Sequence, residues 1–175
     1  MANPKQIDVE VMVIEDSSAP DGVKFELSSG IGTPGKLTFK NNKHPGFIVN
    51  FDLIDPSNTG CKFVHDKDDA MWVRIIDPQT PDPCPRCEMH WDQFKAQAVA
   101  NNNTRLTVRN LNEYVQDFAF SLRFTKPGVA SPILYDPIGS NQNGGDFQLS
   151  FLSTQSVGGF VAGAAVAGVL VMALG

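Results

Sequence analysis

Apolar and polar residues alternate with a period of two through most of the chain. Ile7, Val9, Val11 and Val13 fall on one side of an extended segment, with Asp8, Glu10 and Met12 on the other. That spacing predicts a half-buried strand, because successive side chains of a strand point to opposite faces. Ser17–Gly22 (SSAPDG) is turn chemistry, after which Val23, Phe25 and Leu27 resume the alternation. Gly30, Gly32, Pro34 and Gly35 mark a second turn before Leu37 and Phe39. The polar run from Asn41 to Gly46 then leads into Phe47, Val49, Phe51 and Leu53.

Residues 55–90 break this rhythm. Met71–Ile76 is the one strand-like stretch, set among DPSNTGCKFVHDKDD and DPQTPDPCPRCEMH. Pro56, Pro78, Pro81, Pro83 and Pro85 have no amide hydrogen to give a central ladder, so the region reads as a long surface excursion carrying one strand.

Beyond it the alternation returns. Phe94–Val99 and Thr104–Val108 flank Asn101-Asn102-Asn103, a hairpin turn in which asparagine tolerates the left-handed conformation. Phe118, Phe120, Leu122 and Phe124 alternate with Ala119, Ser121 and Arg123, the clearest amphipathic strand of the chain. Ile133–Tyr135 and then Phe147, Leu149 and Phe151 complete the series. The expectation is an all-β fold: an antiparallel β-sandwich, Ig-like or cupredoxin-like, of about eight to nine strands spanning residues 1–153.

The last stretch, Val157–Leu174, contains no charge and no proline. As a helix rising roughly 1.5 Å per residue it would span about 27 Å, close to the ~30 Å hydrocarbon core of a bilayer. Residues 156–175 are therefore expected to form an apolar C-terminal helix that anchors the chain to a membrane. Gly159 with Gly163, and Ala164 with Gly168, set small residues four apart, where helices can approach closely and self-associate. The nearest basic residue upstream is Lys126, whereas anchors usually carry flanking positive charge on the cytoplasmic side. The competing reading is that the tail packs on the sandwich or on a neighbouring subunit.

Charge narrows the partners. A net charge of −5 and no basic run argue against nucleic acid. The N-terminus enters the first strand without the apolar stretch of a secretory signal, so the bulk domain is expected in the cytoplasm, with the chain membrane-associated. Three cysteines, an odd number, fit a reduced compartment.

The densest reactive cluster is Cys84-Pro-Arg-Cys87-Glu-Met-His90, with Cys61 and His65 upstream. A Cys-x-x-Cys pair puts two thiolates within reach of one soft metal, so Cys61, Cys84, Cys87 and His90 (or His65) form a candidate zinc set. A redox reading is weaker, since Pro83 and Pro85 bracket a loop and not a helix start. The plain alternative is ordinary loop cysteines with no cofactor.

His44, Cys87 and His90 also bear on the likeness to cupredoxins, whose copper pattern is an early loop His followed by Cys, His and Met near the C-terminal end. Met89 precedes His90 here, and about 85 residues follow the cluster. The resemblance implies the sandwich and no copper.

Asp-Pro recurs at Asp55-Pro56, Asp77-Pro78, Asp82-Pro83 and Asp136-Pro137. Turn initiation accounts for such pairs, since proline fixes φ and Asp accepts bonds from nearby amides. The sharper reading is self-cleavage: the carboxyl attacks its own carbonyl carbon and the basic proline nitrogen leaves. Asp136 and Pro137, ahead of the glycine-rich NQNGG, are the best-placed pair. The segments LTVRNLNEYVQDFAFSLRF and YDPIGSNQNGG resemble the C-terminal half of the DP-EP family, small bacterial β-sandwich proteins, over residues 93–146. The resemblance implies a β-sandwich or barrel and, at Asp136 and Pro137, a self-cleaving aspartic peptidase activity. The CPRCEMH excursion and the apolar tail depart from that pattern.

No G-x-S-x-G, H-E-x-x-H or phosphate-binding loop is present. The leading expectation is thus a non-catalytic β-sandwich for binding or assembly, held at a membrane by its tail or self-associating as a homo-oligomer. Autoproteolysis and Cys/His metal binding are the alternatives.

Overall fold

The computed structural model describes residues 3–33, 35–40, 45–76, 88 and 90–142. The expected C-terminal helix, the last expected strand, and residues 77–87 and 89 of the long excursion lie outside the described residues.

The first strand, β1 (Lys5–Glu15), turns back as β2 (Val23–Ser29) through a loop closed by Asp16, whose carboxylate accepts from the Ser18 amide at 2.9 Å. The chain then crosses to a second layer as β3 (Gly32–Thr33) and β4 (Lys36–Lys40). It returns to the first layer as β5 (Phe47–Ile54), which runs parallel to β1. Gly46, at φ +86°, makes that return possible: a Cβ there would strike the Asn110 carbonyl.

Next come β6 (Lys62–Phe63) and β7 (Met71–Ile75) in the second layer, then β8 (Phe94–Ala100) and β9 (Arg105–Asn110) in the first. The β8–β9 hairpin turns on Asn101, Asn102 and Asn103, all at positive φ, as the asparagine run predicts. The chain ends its described course in the second layer with β10 (Gln116–Thr125), β11 (Ile133–Tyr135) and β12 (Ile138–Gln142). One sheet has the order β2-β1-β5-β9-β8. The other runs β11-β10-β12-β4-β3, with β6 and β7 on β10 as well.

The expected all-β class stands, but two details change. The sheets are mixed, because β5 pairs parallel with β1 and β12 pairs parallel with β4. A purely antiparallel sandwich was the expectation; crossing between layers after β2 brings β5 back in the direction of β1. Twelve strands are present among the described residues, against the expected eight or nine. The surplus comes from short pieces, notably β6, which lies within the stretch expected to be loop.

Aromatic rings join the layers. Phe51 of β5 lies 5.9 Å from Phe120 of β10, Phe47 lies 5.2 Å from Phe39 of β4, and Phe25 of β2 stacks on Phe124 at 4.3 Å. Ring pairs at these separations add to the burial of their area. The inward residues of β1 read from the alternation (Ile7, Val9, Val11 and Val13) are all in this core.

β10 is its axis, bonded to β7 and β6 along one edge and to β12 and β11 along the other. Its apparent polar face is not solvated: Ala119 and Ser121 are fully buried as well as Phe118, Phe120, Leu122 and Phe124. On that outer face the Arg123 guanidinium lies 4.0 Å from the centre of the Trp72 ring and is paired with Asp69. The excursion thus contributes to packing the central strand.

Candidate functional site

Asp136 and Pro137 sit between two strands on the same edge of β10. Tyr135 pairs with Leu122 before them and Ile138 pairs with Ala119 after them. The register is the same on both sides, so β11 and β12 are one line of pairing interrupted at Pro137. Phe120 donates its amide to the Pro137 carbonyl at 3.1 Å, while Pro137 has no amide hydrogen to return. Ser121 and Asp136 are therefore a non-hydrogen-bonded pair, the kind whose side chains approach most closely. The Ser121 hydroxyl donates to Asp136 Oδ1 at 2.5 Å. The expected turn ahead of a glycine-rich run is instead a ladder position with a tethered carboxylate.

The candidate metal residues divide. Cys61 is in the core, 3% exposed, and its amide meets Thr59 Oγ1 at 3.3 Å. Burial raises the thiol above its ordinary range, the Thr59 contact and Lys126 opposing this. His90 is half exposed and meets Glu88 Oε1 through Nε2 at 3.2 Å. His65 faces Asn103 at 3.5 Å. No group of three or more His, Cys, Asp or Glu side chains able to hold a metal occurs among the described residues. Cys84, Cys87 and His44 lie outside them, as do Gly159, Gly163, Ala164 and Gly168 of the tail. Among the described residues no helix is long and apolar enough to cross a membrane.

Among the described residues, a cleft missed at the sequence level opens between β7, at the edge of one sheet, and β8, at the edge of the other. Its volume is about 380 Å³, within the range of small-molecule pockets. Met71, Val73, Trp91, Phe94, Ala96 and Val108 form an apolar floor continuous with the core. Trp91 lies 5.7 Å from Phe94 and 5.9 Å from Phe118, which fixes the aromatic wall.

Asp68, Glu88, His90 and Lys95 ring the mouth. Lys67 bonds Asp68 at 2.6 Å and holds its carboxyl below the ordinary range, helped by the charges of His90 and Lys95. The alternation of β8 marks Phe94 and Ala96 as inward-facing. Nothing in it says that β7 would stand opposite with a gap between. No protein-family model matches the chain, and no curated protein matches it.

Proposed function

We propose that this protein is a non-catalytic β-sandwich that works by binding, with residues 156–175 holding it at a membrane or to a second copy. The observation that carries the binding reading is the cleft between β7 and β8, an aromatic floor under a charged mouth. The tail's freedom from charge over Val157–Leu174 supports the anchor.

The reading is tested on the full chain labelled with ¹³C at its methionine methyls and titrated with the low-mass fraction of a cell extract. Met71, on the cleft floor, should shift, while Met12, on the outer face of β1, should not. An unmoved Met71 refutes the binding reading. Flotation with phospholipid vesicles, with and without residues 156–175, tests the anchor; an intact chain that stays with the buffer refutes it.

A second reading is self-cleavage at Asp136-Pro137, supported by the Ser121 hydroxyl that fixes one rotamer of the Asp136 carboxyl and by the DP-EP resemblance. A carboxyl oxygen of Asp136 bonds to the Asp136 carbonyl carbon. The bond to the Pro137 nitrogen then breaks, and that nitrogen takes a proton. Water opens the resulting cyclic anhydride to leave a C-terminal aspartate. Intact mass followed over days at mildly acid pH tests it: a fragment ending at Asp136 is expected, absent in Asp136→Ala. Persistence of the intact chain rules the reading out.

A further inference from the structure

The mouth of the cleft is not neutral in its hydrogen bonding, and the imbalance points to a class of ligand. Asp68 is bonded to Lys67 at 2.6 Å, and Glu88 meets His90 at 3.2 Å. Both carboxylates at the rim are thus already engaged. Lys95, on β8, is exposed and faces Asp68 at Coulombic range; among the described residues neither a hydrogen bond nor an ion pair engages its ammonium. With Lys67 counted, the rim carries two carboxylates and two ammonium groups, and the ammonium left over is that of Lys95, which lines the cleft.

From this we infer that the cleft takes a small apolar carboxylate, its ring or chain lying on Trp91, Phe94, Met71 and Val73 and its carboxylate meeting Lys95. The inference rests on the binding reading above and adds the ligand's charge. An ammonium donating to a carboxylate at the edge of an apolar site is a charge-assisted bond, stronger than the same contact to a hydroxyl. A cation of the same shape would meet the Lys95 ammonium as a like charge, while Asp68 and Glu88 already hold Lys67 and His90.

The test uses three probes of one shape, 4-phenylbutyrate, 4-phenylbutanol and 4-phenylbutylamine, titrated into the full chain in phosphatidylcholine nanodiscs. The Met71 methyl resonance, assigned through Met71→Leu, reports occupancy. Phenylbutyrate should bind about tenfold tighter than the alcohol, the usual gain from one charge-assisted bond, with the amine weakest. Lys95→Gln should remove that preference and leave binding of the alcohol unchanged. Phe94→Leu should weaken all three. If the alcohol or the amine binds as tightly as the acid, or if Lys95→Gln leaves the preference intact, the assignment of a carboxylate is overturned while the binding reading stands. If none of the three moves Met71, both fall.

Discussion

Asn110 of β9 and Asn141 of β12 face each other across the two sheets and exchange amide hydrogen bonds, Nδ2 to Oδ1, at 2.8 and 3.3 Å. Both are fully buried. Asn110 Oδ1 also accepts from the Asn112 amide at 2.9 Å, so the pair ties a loop to the interlayer contact. A reciprocal amide pair satisfies two polar groups that would otherwise be stranded in an apolar core.

Replacing either partner leaves the other buried without its bonds. Asn110→Ala or Asn141→Ala should therefore lower unfolding stability by about 1–3 kcal/mol. The double replacement should cost less than the two singles added, because no orphaned amide remains. Urea denaturation of the four proteins measures the coupling; strict additivity would mean that the two amides do not act as a pair.

Gly139 lies in register with Phe118 on the neighbouring strand, and a Cβ at Gly139 would run into the Phe118 ring. That ring is packed in turn against Phe39, Phe94, Trp91 and Phe120, so it has no room to yield. Gly139→Ala should cost roughly 1–3 kcal/mol, as overpacking does. Phe118→Leu should relieve part of that cost in the double variant, a result read from the shift in denaturation midpoint.

Tyr135 packs against Phe25 at 5.8 Å, and burial pushes its phenol up to about 12, partly offset by a backbone hydrogen bond from Leu27. Below pH 10 the folded and unfolded phenols are both protonated and the neutral tyrosine's contribution to stability is intact. Between pH 10 and about 12 the unfolded state loses the proton first, so stability falls as pH rises through this window. A Tyr114→Phe background leaves Tyr135 as the sole tyrosine. There, phenolate absorbance should rise only near pH 12, and Tyr135→Phe should flatten the alkaline loss of stability.

Cys61 has its thiol both buried and raised in pKa, which disfavours the reactive thiolate. With Cys84 and Cys87 replaced by serine, no thiol should react with a disulfide reagent at pH 8 in the folded protein. One equivalent should react in denaturant. Rapid reaction without denaturant would mean that the segment before β6 opens readily.

How far the sequence reached can be judged from particular strands. Phe118, Phe120, Leu122 and Phe124 were readable as one inward face, because side chains of a strand alternate whatever the strand pairs with. The burial of Ala119 and Ser121 on the opposite face was not readable. It goes with β7 lying beside β10, where Trp72 pairs with Ser121 and its ring meets Arg123.

The same distinction covers the candidate sites. Asp136-Pro137 was visible as a dipeptide, and so was Cys61 as a thiol near a Cys-x-x-Cys. The Ser121 partner of the one and the core position of the other depend on which strands are neighbours.

By itself, then, the sequence determined the all-β class, the inward residues of β1, β5 and β10 and the asparagine turn between β8 and β9. These follow from local terms, the two-residue period and the φ preferences of single residues. Tertiary structure alone decided that β1 lies parallel to β5 and β4 to β12, that Asn110 meets Asn141, and that β7 and β8 stand apart over a cleft. Every strand offers the same backbone donors and acceptors, so alternation leaves its partner open. The choice falls to side-chain packing between layers, where the phenylalanines of β10 select what surrounds them.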